Sequence, residues 1–191
     1  MLSGFPITEF HCIMPIENVP SVMQRGILSY RQAAKQCPEH ASVADVVVQG
    51  RRDEVHRYAN LYFHARNPMM YRLKDRAHQL CVLAVDTTIA LLDGVLFTDR
   101  NAASRWRRAF SPVMWRSLLD FDTILAHDWL NPDGSPNPVK KSIRCAEILV
   151  PDIVPFSYVR HAYVCNAEAQ RQLQAVGFPL PVFLKPSLFF A

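Results

Sequence analysis

Glycine is scarce in this chain, six residues in 191, and the scarcity excludes a good deal. Neither P-loop spacing nor the glycine fingerprint of a dinucleotide-binding βαβ unit is present, so phosphate recognition falls to side chains rather than to a glycine cradle. A nucleophile elbow is also missing. No apolar run approaches the ~18 residues that a membrane span needs. Met1-Leu2-Ser3-Gly4-Phe5-Pro6 lacks the basic-then-apolar pattern of a signal peptide. The expectation is a cytoplasmic protein that does not enter a membrane. The five cysteines, Cys12, Cys37, Cys81, Cys145 and Cys165, are odd in number and scattered singly, which reads as reduced thiols rather than a disulfide framework. Cys37 and His40 stand three apart with no second pair at matching spacing, so neither zinc nor another metal is expected.

What remains is ordinary globular composition, 50% hydrophobic and 20% charged, long enough for one core, and residues 1–191 are expected to form a single domain. The net charge is only +4, yet its distribution is uneven. Arg51, Arg52 and Arg57 cluster, then Arg100, Arg105, Arg107, Arg108 and Arg116, then Lys140, Lys141 and Arg144. A solvated helix face is the usual explanation of such runs. The sharper one is a polyanion partner, because arginine suits bidentate phosphate contacts.

Hydrophobic periodicity predicts alternating strands and short helices. Strands are expected over 7–13, 44–49, 60–66, 79–85, 95–98, 143–150, 153–155 and 161–165. Helices are expected between Pro15 and a stop at Gly26, from Asn67 as N-cap and Pro68 at the first helical position to about Arg76, and over Ile89–Leu92 ahead of Gly94. Further helices are expected from Asn101 to Phe110, from Pro112 to Leu119, and from Asn166 to Val176 with Gly177 closing it. Residues 30–42 read as a loop holding at most one helical turn, and 131–138, with three prolines, as a turn-rich loop suited to recognition. The tail from Phe178 is too broken for a helix and too apolar for a free linker.

Within the strand expected over 143–150, Glu147 is a carboxylate in an apolar run. A buried ionised side chain without partners costs several kcal/mol, so Glu147 is either an edge residue reaching solvent or a poised functional group. His11, Arg51, Arg52, Tyr62, Arg66 and Met69 are weak candidates individually: a histidine on an apolar strand is more often a core residue than a ligand-binding one, and Tyr62 and Met69 also suit a core.

The order of these pieces resembles the DarT family of toxins that ADP-ribosylate single-stranded DNA. The resemblance rests on Phe10-His11-Cys12-Ile13 with Ile16-Glu17-Asn18 and Gly26-Ile27-Leu28, on Gln49-Gly50-Arg51-Arg52, on Tyr62 to Tyr71, on Phe97-Thr98-Asp99-Arg100 and on Ala146 to Val150. It implies an α+β ADP-ribosyltransferase-like fold, a split antiparallel sheet flanked by helices, using NAD as co-substrate. By matching position, His11 would hold the nicotinamide riboside end, Arg51, Arg52 and Arg66 would contact the cofactor, Tyr62 and Met69 would line the nicotinamide pocket, and Glu147 would be the catalytic acid/base with Arg52 assisting. Breaking the glycosidic bond of NAD builds positive charge on the ribose, which a nearby carboxylate stabilises while taking a proton from the incoming base. Arg100, Asn101, Arg105, Trp106, Lys140, Lys141 and Arg144 would contact single-stranded DNA, with Trp106 as a stacking surface. A macrodomain antitoxin of DarG type is the implied protein partner. Thymidine and guanosine both stand as the modified base. Two other readings are the same fold acting on RNA or protein, and a nucleic-acid-binding module without catalysis.

Overall fold

The computed structural model describes residues 4–36 and 53–191; the apolar segment expected at 44–49, Arg51, Arg52 and the Cys37/His40 pair lie outside them. The chain opens with β1 (Glu9–Pro15), a short 3-10 turn and α1 (Val19–Arg25), stopped by Gly26. Gly26 has φ 79° and ψ −179°, a backbone region that only glycine adopts without strain. Next come β2 (Ile27–Leu28) and α2 (Tyr30–Gln36). The single turn expected there is a full short helix, capped by Ser29, whose Oγ accepts from the Gln32 amide at 3.2 Å.

β3 (Tyr58–Tyr62) leads to α3 (Pro68–Arg72), where Asn67 Oδ1 accepts from the Met69 and Met70 amides at 2.9 and 3.0 Å. A cap of this kind stabilises a helix by about 1 kcal/mol. β4 (Leu80–Asp86) is buried along nearly its whole length, and β5 (Leu96–Thr98) and β6 (Ala109–Phe110) form a hairpin-like pair. α4 (Trp115–Leu118), α5 (Phe121–Ile124) and α6 (Pro138–Ile143) precede β7 (Glu147–Pro151), β8 (Ile153–Val154) and β9 (Val159–Val164). α7 (Ala167–Ala175) and β10 (Val182–Leu184) complete the order.

Two expectations need correction. The helix from Asn101 to Phe110 is a loop between β5 and β6. Its short polar side chains bond their own backbone instead of yielding it to a helix: Asn101 Oδ1 accepts from the Ala103 amide at 2.8 Å and Ser104 Oγ from the Trp106 amide at 3.2 Å. Asp99 then cinches the loop's ends, accepting from the Arg108 amide and Nε, both at 2.8 Å. The strand over 143–150 is divided. Asn137 caps a helix that runs through Ile143, so Glu147 is the first residue of β7 rather than an interior one. The tail packs on the body, as its apolar composition implies, and contributes β10, which pairs parallel to β9 where the other described strand pairs are antiparallel.

The eight-stranded sheet runs β10-β9-β4-β1-β3-β7-β5-β6, with β2 and β8 pairing separately. β1 pairs β4 along seven residues but β3 at one, His11 opposite Tyr62. The sheet is therefore two halves joined by a single rung. One face is packed by Phe5, Phe10, Phe63, Phe97, Trp115 and Phe121, whose rings meet mostly edge to face at 5.1–6.4 Å, an arrangement worth about 0.5–1.5 kcal/mol per pair beyond burial.

Candidate active site

The opposite face carries the polar groups, and register explains why they meet. Residues directly opposite in antiparallel strands project to the same side. His161 on β9 opposes Ala84 on β4, Ala84 opposes His11 on β1, His11 opposes Tyr62 on β3, and Tyr62 opposes Glu147 on β7. Three expected site residues, His11, Tyr62 and Glu147, thus lie in one row across the point where the sheet divides.

Glu147 is 0% exposed, which rules out the edge-residue reading. Two neutral amides bond its carboxylate: Asn60 Nδ2 donates to Oε2 at 2.5 Å and the Ala102 amide to Oε1 at 2.9 Å. The Glu147 amide itself donates to Thr98 Oγ1 at 3.0 Å. One strand and one loop therefore hold this carboxylate, and a second strand holds its backbone. Its neighbour Cys145 is a buried thiol pushed up to about 12 by loss of solvation, hence inert as a nucleophile.

His11 is buried and doubly bonded. Its Nδ1 accepts from the Ala65 amide at 2.9 Å, so the ring proton sits on Nε2, 3.0 Å from Glu9 Oε1. Burial pushes the Glu9 carboxyl up, but hydrogen bonds from His11 and Tyr163, with electrostatic help from the nearby imidazoles, outweigh it and bring the pKa to about 2. His64, whose ring centroid lies 5.8 Å from that of His11, is pulled down to about 4 by burial, then by the potentials of His11 and Arg144. Tyr62 Oη donates to Met69 Sδ at 2.9 Å, joining the two residues expected to line the nicotinamide pocket.

The remaining expected residues divide. Arg66 Nη1 donates to the Ser187 carbonyl at 2.6 Å and its guanidinium lies 3.9 Å over the Phe190 ring, so it clamps the tail. Arg144, expected on the DNA-binding surface, is 1% exposed and donates to the Arg66 carbonyl; its place is inside, bracing the segment before α3. Trp106 is 67% exposed with the Arg105 guanidinium 4.8 Å over its ring. Arg100 is half-buried against Asp99, and the Asn101 amide donates to the Ser142 carbonyl, tying the loop to α6. Lys141 is exposed, and Lys140 Nζ donates to the Leu130 carbonyl at 3.2 Å.

Sequence reasoning passed over Asn60, Thr98 and the Ala102 amide. Asn60 sits two residues before Tyr62, so strand alternation alone puts both on the Glu147 face. It also passed over a cleft of about 450 Å³, including space open to solvent, lined by Met14, Asn18, Ser21, Gly26 and Leu28. Asn18, Gly26 and Leu28 belong to the first of the matching motifs. Among the described residues no group of three or more His, Cys, Asp or Glu side chains is placed to hold a metal, and no helix is long and apolar enough to cross a membrane.

A family model described as "ssDNA thymidine ADP-ribosyltransferase, DarT" matches residues 10–190. A DNA ADP-ribosyl transferase-DNA ADP-ribosyl glycohydrolase fusion protein of Thermosipho africanus is 31% identical over 196 aligned positions, covering 95% of this chain and 49% of that protein. The chain thus spans about half the length of that relative. A DNA ADP-ribosyl transferase of Thermus aquaticus is 26% identical, covering 93% of this chain and 85% of its own length. Among solved structures, Thermosipho africanus DarTG in complex with ADP-ribose superposes with a TM-score of 0.81 at 30% identity, covering 96% of this chain and 51% of that one. Thermus sp. 2.9 DarT in complex with ADP-ribosylated ssDNA gives 0.82 at 20% identity, covering 95% of this chain and 96% of that one, a likeness of fold. With the α+β fold and the family model both spanning nearly the whole chain, this protein belongs to the DarT family.

Proposed function

We propose that this chain transfers ADP-ribose from NAD to a base of single-stranded DNA, releasing nicotinamide. The observation that carries the reading is the row His11-Tyr62-Glu147 on three adjacent strands at the division of the sheet. The bond from the ribose C1′ to the nicotinamide nitrogen breaks, the electron pair leaving with nicotinamide, and a base nitrogen bonds to C1′. Glu147 stabilises the positive charge on the ribose and takes the proton that the base nitrogen loses. The bonds from Asn60 and Ala102 fix the orientation of that carboxylate.

Met69 and Tyr62 line the nicotinamide end beside His11, and the cleft at Asn18, Ser21 and Gly26 takes a more distant part of NAD. Arg51 and Arg52 are assigned to the cofactor phosphates, and Arg52 to assisting Glu147, by the motif they match. The β5–β6 loop, with Arg100, Asn101, Arg105 and Trp106, and the basic pair Lys140 and Lys141 form the surface for the strand. The family description favours thymidine as the base. Residues 1–191 act as one catalytic domain, a reading supported by a sheet that draws strands from Glu9 to Leu184. We place the activity in the cytoplasm, where NAD and DNA substrate coexist, opposed by a macrodomain antitoxin, a reading supported by the DNA ADP-ribosyl glycohydrolase joined to the transferase in the Thermosipho africanus relative.

The test is incubation of purified protein with labelled NAD and, separately, single-stranded DNA, duplex DNA, RNA and protein, followed by homopolymer oligonucleotides of the four bases. Label on single-stranded thymidine oligomers alone is expected. Label on RNA or protein only, or binding without label, refutes the reading.

A further inference from the structure

The row described above extends past His11 into a second set of groups. Glu9 shares the face of His11, two residues before it, and reaches across β4 to β9. Its Oε1 accepts from Tyr163 Oη at 2.8 Å as well as facing His11 Nε2 at 3.0 Å, and its Oε2 lies 3.2 Å from His161 Nε2. The reach depends on Ala84, which stands between His11 and His161 in the ladder and offers only a methyl group. The Glu9 side chain is 21% exposed and that of His11 6%, so the contact is shielded from competing water.

An imidazole ring has one soft torsion about its attachment, and two opposed hydrogen bonds fix it. The Ala65 amide occupies Nδ1 and the Glu9 carboxylate faces Nε2, so neither a ring flip nor the other tautomer preserves both. Tyr163 in turn holds Glu9 through its hydroxyl, while His161 Nε2 lies nearby without forming a hydrogen bond. We infer that Glu9, braced by Tyr163, is a positioning residue that fixes the ring plane and tautomer of His11 for its contact with NAD. Both ring nitrogens of His11 are occupied, so its contact with NAD is made by the ring itself; at metal sites, removing a group that orients a histidine changes affinity by about 10–100-fold, and a similar scale is expected here. The inference rests on the reading of His11 as an NAD contact.

The experiment measures steady-state kinetics in NAD alongside long-range proton–nitrogen spectra of histidine-labelled protein, with the His11 signals assigned by their loss in His11→Ala. Wild-type protein is expected to show His11 protonated at Nε2 and bare at Nδ1. Glu9→Ala is expected to raise the KM for NAD about tenfold, with kcat at saturation within about threefold, and to broaden or double the His11 signals. Glu9→Gln retains an oxygen that accepts from Nε2 and from Tyr163, and is expected to restore KM to within about threefold of wild type together with the single His11 signature.

Wild-type KM and an undisturbed His11 spectrum in Glu9→Ala overturn the inference, as does Glu9→Gln impaired to the same degree as Glu9→Ala. Should Glu9→Ala not fold, Tyr163→Phe carries the test: a KM rise of about two- to threefold with a shifted His11 signature supports it, and no change in either overturns it. If wild-type protein consumes no NAD while the Glu9-dependent His11 signature is present, the functional reading fails and the structural positioning stands.

Discussion

Replacing Gly26 with alanine separates two costs that usually arrive together. The backbone at φ 79° and ψ −179° lies where a side chain adds strain of about 1–3 kcal/mol. A Cβ there would also stand 2.5 Å from the Val154 carbonyl oxygen and 2.8 Å from Ile153 Cγ2. Both belong to β8, which pairs with β2 just after the glycine, so relief requires parting that ladder, at about 1–3 kcal/mol more. Gly177 is the internal control. It has φ +81° with nothing within 4 Å of an added Cβ, so Gly177→Ala bears strain alone, about 1–2 kcal/mol. For a chain of this size 1 kcal/mol shifts Tm by about 2–4 °C. With a midpoint near 4 kcal/mol, Gly26→Ala is expected to melt about 8–16 °C below wild type, and Gly177→Ala about 2–8 °C below. Because Gly26 also lines the cleft with Asn18 and Ser21, only its variant should raise the KM for NAD. Calorimetry of both proteins decides the matter, and melting points within about 2 °C of each other would refute the steric argument.

Glu147→Ala is expected to lower kcat by at least about 10³-fold while NAD affinity, read by calorimetry, changes little. It should also lose about 2 kcal/mol of stability, since the Asn60 amide and the Ala102 N–H become buried donors without their acceptor, offset in part by removal of a buried charge; a melt identical to wild type contradicts this. Trp106→Ala is expected to weaken oligonucleotide binding by about 1–3 kcal/mol through lost stacking, with KM for NAD and Tm unchanged, and an equal loss for NAD would place Trp106 elsewhere. His64 has a pKa of about 4 in the folded chain against about 6.5 unfolded. The unfolded state therefore binds the extra proton between those values, and stability falls as pH drops from about 6.5 to 4 by a total of the order of 3 kcal/mol. Urea unfolding of His64→Gln across that window should show the slope reduced by this amount, and an unchanged slope rejects the assignment.

Punctuation in the sequence was readable where one residue type has one physical use. Asn67-Pro68 fixed the start of α3, Gly26 the end of α1, and Asn166 the start of α7. The 101–110 segment misled because its apolar spacing suits a helix, whereas Asp99, Asn101 and Ser104 spend their side chains on local backbone amides, a competition that periodicity does not register. In the site, alternation placed His11 and Tyr62 on strands, but the row joining them to Glu147 depends on register between strands far apart in sequence. The burial of Arg144 was equally hidden, since a charge run offers no sign of which member turns inward to find carbonyls. The amide partners of Glu147 come from a different strand and from a loop, and nothing in the composition around residue 147 announces them.

The chain crosses the division of the sheet repeatedly: β1 lies in one half, β3 in the other, β4 returns, β5, β6 and β7 return again, and β9 and β10 close the first. Neither half is a contiguous stretch of chain. During synthesis His11 emerges 150 positions before His161 and 136 before Glu147, an interval of roughly 7 to 30 s at about 5–20 residues per second. Until β7 and β9 have left the ribosome, β1 lacks the strands that complete the row around its histidine. A site assembled from strands at both ends of the chain is thereby incomplete through most of the chain's own production, by strand order alone.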